Sequence, residues 1–577
     1  MNNFTKRCVA AFASLTMAGT LCAAGAVTVS SVAWGEEDPA TAGVTGVDKP
    51  SQAAVYKKAP WELTETEKTA NYSLTVYKWE NEVDSTSKKQ KKSTPVSGAE
   101  FTVKKVTQIG GENIDLTKYA DWVKVANKID TLNKREKAPS GVTIEAGDGT
   151  KVTTKAKGVA KFDSLKIGLY QVTESKTPKG YSASESKPFY ITIPSIEKDG
   201  TDTKFNYAPF ADPKNKNLKK CVKKTADTSE TIGAGDKIKY TISAELDKMK
   251  ETGATALTAD DFNGYSVVDL APANAFTTYD ASVVKEVTVG TDDTNKTNTK
   301  LNNDSSKTYY AVGTVTDVAA VTSGNNQDVA RKKIPITFAE DGRKALAKAA
   351  NENNSGKPVK VFVTLEFTLK DSTTLGNSTV TNKGGLIPSH DGNETPDVVT
   401  GEDNEKVEFS KFKITKVSAT EPKTKLPNAK FKLFASKDEA NKCSKAITDG
   451  KKDNDLNTAC AAASTGFGEK PTGTTGETTE YSLVYKQGRK LYLVETEAPT
   501  GYIRNPDAYE FTVEQTKTDV TFQNLPNKDN GFWFNLPKTG AAGVILFALA
   551  GVCFVGAGFV VYIHRRKKEE EQAKLRA

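Results

Sequence analysis

The sequence predicts an all-β chain of three tandem β-sandwich domains, with a secretory signal peptide at one end and a membrane-spanning helix at the other. Three observations predict it. Thr, Val, Lys, Gly and Asn are plentiful and long helical patterns are few, a composition of strands and turns. Short runs alternate apolar and polar residues, the period of two that puts every second side chain on one face of a strand. One succession of strand and turn signals also occurs twice, near the start and near the end, which marks a repeated β domain.

The two ends set the compartment. Lys6 and Arg7 precede an Ala-rich apolar run from Val9 to about Val29, and Ser31-Val32-Ala33 offers small residues at −3 and −1. Residues 1–33 therefore read as a signal peptide cut near Ala33. Cys22 follows Gly19-Thr20-Leu21, which lacks the leucine and small residue of a lipoprotein signal, so no lipid anchor is expected. At the other end Ala541–Ile563 is an uncharged apolar run of 23 residues, enough to cross the roughly 30 Å of a bilayer core as a helix. The basic cluster His564-Arg565-Arg566-Lys567-Lys568 opens a tail, 564–577, that marks the cytoplasmic side. Everything upstream of Leu536 then faces outward.

Charge and residue counts exclude several classes of function. The net charge is +8, but Lys and acidic residues are interspersed, the pattern of a solvated surface and not of a nucleic-acid footprint. Of two histidines, His564 lies beyond the span and His390 stands alone in a polar loop. Histidine-dependent catalysis, a His-rich metal site and a cofactor are therefore not expected. Cys8 and Cys22 leave with the signal peptide and Cys553 lies in the span, so Cys221, Cys443 and Cys460 remain in an oxidising setting. The pair nearest in sequence, Cys443 with Cys460, is taken as a disulfide. Cys221 is left either as a free thiol or as a partner for something external.

Taken in order, residues 34–70 read as a flexible leader rich in Ala, Gly, Thr, Glu and Pro. The first domain, 71–213, opens on a strand in which Leu74, Val76 and Lys78 share a face. Pro95-Val96-Ser97-Gly98-Ala99-Glu100-Phe101 leads into a second strand, and Leu116–Leu132 reads as an amphipathic helix. Tyr170-Gln171-Val172-Thr173-Glu174 is followed by Pro178-Lys179-Gly180-Tyr181. The third domain, 407–535, repeats this. Phe412, Ile414 and Lys416 share a face, Leu426-Pro427-Asn428-Ala429-Lys430-Phe431 follows, and Leu491, Leu493 and Glu495 precede Pro499-Thr500-Gly501-Tyr502. In both copies Glu is followed by Pro at +4, Gly at +6 and Tyr at +7. The middle domain, 214–406, opens with Leu218–Thr225 and runs through Gly235-Asp236-Lys237-Ile238-Lys239-Tyr240-Thr241-Ile242 and Ser266–Pro272. A short helix is expected at Glu340–Ala350, then strands at Val359–Leu369 and Ser378-Thr379-Val380-Thr381-Asn382.

These motifs carry a resemblance. Leu536-Pro537-Lys538-Thr539-Gly540, with the span and basic tail in immediate succession, resembles the LPxTG sorting signal of Gram-positive surface proteins. In that family a sortase cysteine attacks the Thr–Gly bond, which implies cleavage between Thr539 and Gly540. The repeated domain resembles the Cna B-type immunoglobulin-like domain of adhesins and pilins, and residues 491–502 resemble the pilin E-box. The middle domain resembles the Cna A-type domain of multi-domain pilins.

In such domains a lysine buried in an apolar core loses charge and becomes a nucleophile. A carboxyl group buried beside it is pushed towards its protonated form and can polarise an amide. Set against an Asn side chain, the two make a Lys–Asn isopeptide bond with loss of ammonia. The inward phase of Lys416, Glu495 and Asn524, and of Lys224, Asp269 and Asn382, matches the family positions. The first domain offers Lys78 and Glu174 with only Asn206 nearby, out of phase, so no bond is expected there. A further lysine, in Phe205–Asn215, stands where the family places the pilin motif; Pro213-Lys214 is its literal match, and Asp212 replaces the motif's tyrosine.

The resemblance as a whole is to a major, or backbone, pilin. It implies a non-enzymatic subunit whose Thr539 a pilin-specific sortase joins to Lys214 of another copy, with a housekeeping sortase finally attaching the polymer to peptidoglycan. Tip and base pilins and host surface receptors are the other implied partners. The alternative is a monomeric wall-anchored adhesin that binds a host matrix protein.

Overall fold

The computed structural model describes residues 54–83, 90–182, 187–199, 202–249, 256–324, 327–392, 395–527 and 541–574. The signal peptide, most of the leader and the sorting motif Leu536–Gly540 lie outside the described residues.

The described residues between 54 and 527 form packed sheets of mainly antiparallel strands. In the first part, Val159–Leu165, Tyr72–Tyr77 and Phe210–Ala211 make one sheet, and a six-stranded sheet centred on Glu100–Ile109 and Gly168–Lys176 faces it. The middle part is two six-stranded sheets. The last part sets a five-stranded sheet, built on Lys406–Ser418 and Lys517–Pro526, against a four-stranded one that holds Lys430–Phe434 and Lys490–Glu497. The expected helices form at Tyr119–Asn127 with Ile129–Leu132 and at Glu340–Asn351. Two helices not expected from the sequence, Lys437–Thr448 and Asp453–Ala459, carry Cys443 and Cys460, which are disulfide-bonded.

The repeat holds at the level of single bonds. Gly98 and Asn428 both adopt positive φ, +86° and +63°, the left-handed conformation that Gly and Asn tolerate best. The next residue in each copy, Ala99 or Ala429, donates its amide to a threonine hydroxyl, Thr154 or Thr472, at 3.0 Å. Those hydroxyls donate back to the carbonyls of Val96 and Leu426. In both copies the Glu of the E-box segment pairs across the sheet with the Phe of this turn, Glu174 with Phe101 and Glu495 with Phe431, and a register shift follows at once.

The leader expected over 34–70 ends sooner than its composition suggests. Tyr56–Lys57 pairs with Asn206 and Phe205, Leu63 is buried, and Trp61 packs edge-on against Phe205 and Trp122. Apolar side chains spaced among the polar ones are what tie this segment down.

The middle and last parts share one continuous buried core. Asp236 accepts hydrogen bonds from the amides of Ile232 and Gly233 on its own side and from Ser464 Oγ and Gly466 N across the junction. Arg489 crosses in the other direction to the carbonyls of Thr228 and Thr231.

Candidate functional site: three buried lysines

A lysine is among the residues least often buried, yet Lys78, Lys224 and Lys416 are each 1% exposed or less. Strand alternation places them there. Each continues an inward face, Leu74 and Val76 for Lys78, Val222 for Lys224, Phe412 and Ile414 for Lys416, all of them buried.

In the last part Lys416 Nζ lies 3.0 Å from Glu495 Oε1 and donates to Asn524 Oδ1. Asn524 Nδ2 is 2.9 Å from both Glu495 oxygens, closing a triangle, and Glu495 Oε2 also accepts from the amide of Asn505. The ring of Phe522 stands 4.2 Å from the ammonium position. Burial among these groups pulls the Lys416 pKa down to about 8, with the Glu495 charge opposing the shift.

In the middle part Lys224 Nζ donates to Asp269 Oδ2, and Asn382 Nδ2 approaches the same oxygen at 3.4 Å. Desolvation holds Lys224 down at about 8 and pushes Asp269 up. Asp269 Oδ1 and Asn382 Oδ1 are buried without a hydrogen-bond donor. With no donor on Oδ1, the charged form of Asp269 is poorly solvated, which accords with the raised pKa.

The first part brings together a third lysine–acid–asparagine grouping, through an asparagine not weighed from the sequence. Lys78 Nζ is 2.8 Å from Glu174 Oε2 and 2.7 Å from Asn215 Oδ1, and Asn215 Nδ2 is 2.7 Å from Glu174 Oε1. Asn206, the residue weighed from sequence, instead accepts from the amides of Val55 and Ala208 and donates to Glu197. Asn215 was missed because its strand, Lys214–Asn215, has two residues and no Val-x-Asn pattern. The signal that finds it is phase, since Asn215 is in step with Ala211.

Register makes the first and third triads equivalent. In the last part the first and last strands run parallel, Lys416 lies opposite Phe522, and Asn524 is two residues further on. In the first part Phe210, Ala211, Lys214 and Asn215 lie parallel to Thr75, Val76, Trp79 and Glu80 at one constant offset. That offset sets Lys78 opposite Pro213, again with the Asn two residues further on. In both, lysine and asparagine share a sheet and the acid comes from the facing sheet. The middle triad differs in its asparagine, since Asn382 adjoins Lys383–Ile387, the strand that pairs with that of Asp269, and so stands on the acid's sheet and not the lysine's.

Lys214 is the inward Asn215's neighbour, and alternation turns it to the opposite face of the strand. Cys221 is buried, and desolvation raises its thiol pKa to about 12, so it is an inert thiol at neutral pH. The apolar helix extends through the basic cluster, Ala541–Lys574, and is long and apolar enough over Ala548–Gln572 to cross a membrane.

Comparison with known proteins gives three matches along the chain. Residues 68–216 match the N-terminal domain, D1, of Gram-positive pilin subunits. Residues 410–526 match a prealbumin-like fold domain, and residues 534–570 an LPXTG cell wall anchor motif. The chain is 28% identical over 515 residues to fimbrial subunit type 1 of Actinomyces viscosus, covering 83% of this chain and 86% of the relative. It is 26% identical over 526 residues to fimbrial subunit type 2 of Actinomyces naeslundii, covering 84% and 86%. Among solved structures it is similar to the fimbrial protein FimP of Actinomyces oris, at 23% identity and TM-score 0.49, covering 80% of this chain and 98% of that one. The major pilin SpaD of Corynebacterium diphtheriae follows at 21% and 0.45, with coverage of 80% and 98%.

Proposed function

We propose that the chain, which matches the N-terminal domain of Gram-positive pilin subunits and an LPXTG cell wall anchor motif, is a backbone subunit of a sortase-assembled, wall-anchored surface fimbria, and that Thr539 and Lys214 are the two halves of the bond that polymerises it. A pilin-specific sortase breaks the Thr539–Gly540 amide, its cysteine takes the threonyl carbonyl as a thioester, and Gly540 leaves as the new amine. The neutral Lys214 Nζ of another copy displaces the thiolate, which carries away the proton the amine loses. A housekeeping sortase then uses the same kind of thioester to join the finished polymer to peptidoglycan, and tip and base pilins and host receptors complete the partners.

The observation that carries the Lys214 assignment is the parallel alignment of 210–215 with 75–80. It turns Asn215 into the core and Lys214 to the other face at the junction of the first two domains. The test is a blot of wall extracts boiled in SDS. Wild type should give a ladder and Lys214→Ala none. A ladder that survives the substitution overturns the assignment.

Within each subunit, the three triads are proposed to close as Lys–Asn isopeptide bonds: Lys78–Asn215, Lys224–Asn382 and Lys416–Asn524. In each, the neutral amine attacks the asparagine side-chain carbonyl, the buried acid (Glu174, Asp269 or Glu495) shuttles the proton, and one ammonia leaves. The low lysine pKa and raised Asp269 pKa in the middle triad favour the neutral amine beside a protonated acid, the reactive pairing. The intact mass of the mature chain should fall by three ammonias; a deficit of two would leave one triad open.

A further inference from the structure

The strand that carries Lys214 has an outward face that the chemistry above leaves unused. Ala211 and Asn215 point inward and are buried. Phe210, Asp212 and Lys214 occupy the opposite phase, one after another along the strand. Facing them from the neighbouring strand are Tyr77 and Trp79, which alternate with the inward Val76 and Lys78.

Two features of this face stand out. Phe210 is 56% exposed, although it borders the buried Tyr77, whose ring it meets edge-on at 5.9 Å. A large aromatic left that open beside a nucleophile is the residue type that anchors protein interfaces. Asp212 is the reverse, a carboxylate 7% exposed on an outer face. The Trp79 indole donates to its Oδ1 at 3.0 Å, and Lys92 reaches its Oδ2 at 2.8 Å. These bonds sit where the backbone is weakest. The parallel ladder runs through Thr75 N to Pro209 O, Trp79 N to Pro213 O and Asn81 N to Asn215 O. Pro213 has no N–H to return a bond, so one rung is missing beside Lys214. Asp212 replaces it by clasping the side chain of Trp79, the residue opposite Lys214.

We propose that Phe210 and Asp212 select the acceptor amine: Phe210 is the anchor on which the thioester-loaded sortase docks, and Asp212 is a positioning residue that holds Lys214 in register through Trp79. This rests on the reading of Lys214 as the acceptor. It also gives a reason for this lysine to be used among so many, since its neighbours two and four residues back on the same face supply the contact and the rigidity.

The test uses the full-length chain carrying Thr539→Ala, which accepts but cannot donate. It is mixed with the pilus sortase and a donor peptide containing Leu536–Gly540, and initial rates are measured against acceptor concentration. Phe210→Ala should raise the acceptor KM about tenfold with kcat within twofold, the size of a lost aromatic anchor. Asp212→Ala should lower kcat about tenfold with little change in KM, as a misplaced nucleophile does, and Asp212→Asn, which keeps the indole's acceptor oxygen, should recover most of the loss. Transfer to hydroxylamine, which bypasses the acceptor, should be unchanged throughout. If Lys214→Ala accepts as well as wild type, the acceptor reading itself falls. If Lys214→Ala is inert but Phe210→Ala keeps the wild-type KM, the docking role falls, and exposed Phe210 answers even where Asp212→Ala does not fold. A fall in kcat not recovered by Asp212→Asn overturns the positioning role.

Discussion

The first and third domains hold the same triad in the same register, yet they stand differently towards the fibre. In the third, Lys416 and Asn524 lie 108 residues apart on the first and last strands, between the two polymer joints. In the first, Lys78 and Asn215 lie 137 apart, and the proposed tie ends one residue past Lys214, so under the proposed linkage tension that enters at Lys214 and leaves at Thr539 would bypass the domain. The proposed chemistry is common to both, and position along the chain would decide which tie bears load. The proposed first tie would then anchor the strand that presents Lys214 instead of strengthening the shaft.

Breaking the third tie should have the largest effect. Glu495→Ala should leave the mature chain two ammonias below its sequence mass instead of three and destabilise the third domain by about 5 kcal/mol, the chain-entropy value for a loop of roughly 100 residues. It should also let single fibres extend when pulled. Mass spectrometry, calorimetry and single-fibre stretching check the three outcomes. Asn215→Ala should show the same reduced deficit from its sequence mass and cost the first domain a similar amount, since loop entropy grows only with the logarithm of length. Pulled fibres of this variant should stay as stiff as wild type. An extension equal to that of Glu495→Ala would erase the distinction between the two domains.

A smaller effect is expected from Cys443→Ser with Cys460→Ser. That disulfide spans 17 residues, so its loss should cost about 3 kcal/mol, felt around the helices Lys437–Thr448 and Asp453–Ala459 and read by calorimetry. The smallest is a pH effect in Asn524→Ala, where the Lys416 amine has no amide to attack. Burial holds its folded pKa at about 8, below the roughly 10.4 of an unfolded lysine. Between those values the unfolded chain binds more protons, so stability rises as pH climbs from about 8 to 10. Below pH 8 the cost of burying the charge is fully present. Urea unfolding at pH 7.5 and pH 10 should order accordingly.

Much of the site was legible because alternation is a strict rule. Phe412, Ile414 and Lys416, like Val520, Phe522 and Asn524, announce an inward lysine and asparagine wherever a strand is long enough to show its period. The first domain hid its asparagine because Pro213 interrupts the strand, leaving two residues with no period to read. The E-box glutamates were visible through their turns, whose Gly180 and Gly501 both take positive φ near +85°. The helices Lys437–Thr448 and Asp453–Ala459 were not, since their polar composition hides the few residues, Ala440 and Cys443 among them, that pack inward. Nor was the packing of residues 56–68, which depends on contacts with Phe205 and Trp122 far along the chain.

The register of the triads has a consequence for survival outside the cell. With the proposed bonds closed, the covalent route between the proposed joints Lys214 and Thr539 would need only three stretches, 214–224, 382–416 and 524–539. The rest of the described sandwiches, including the long polar loops of the middle domain, hangs from that spine as closed side branches. A protease that cuts once in any branch opens a ring without severing the fibre. Limited trypsin digestion should therefore nick subunits while the high-mass ladder persists, and the same digestion should shorten the ladder once Glu495→Ala returns the third branch to the spine.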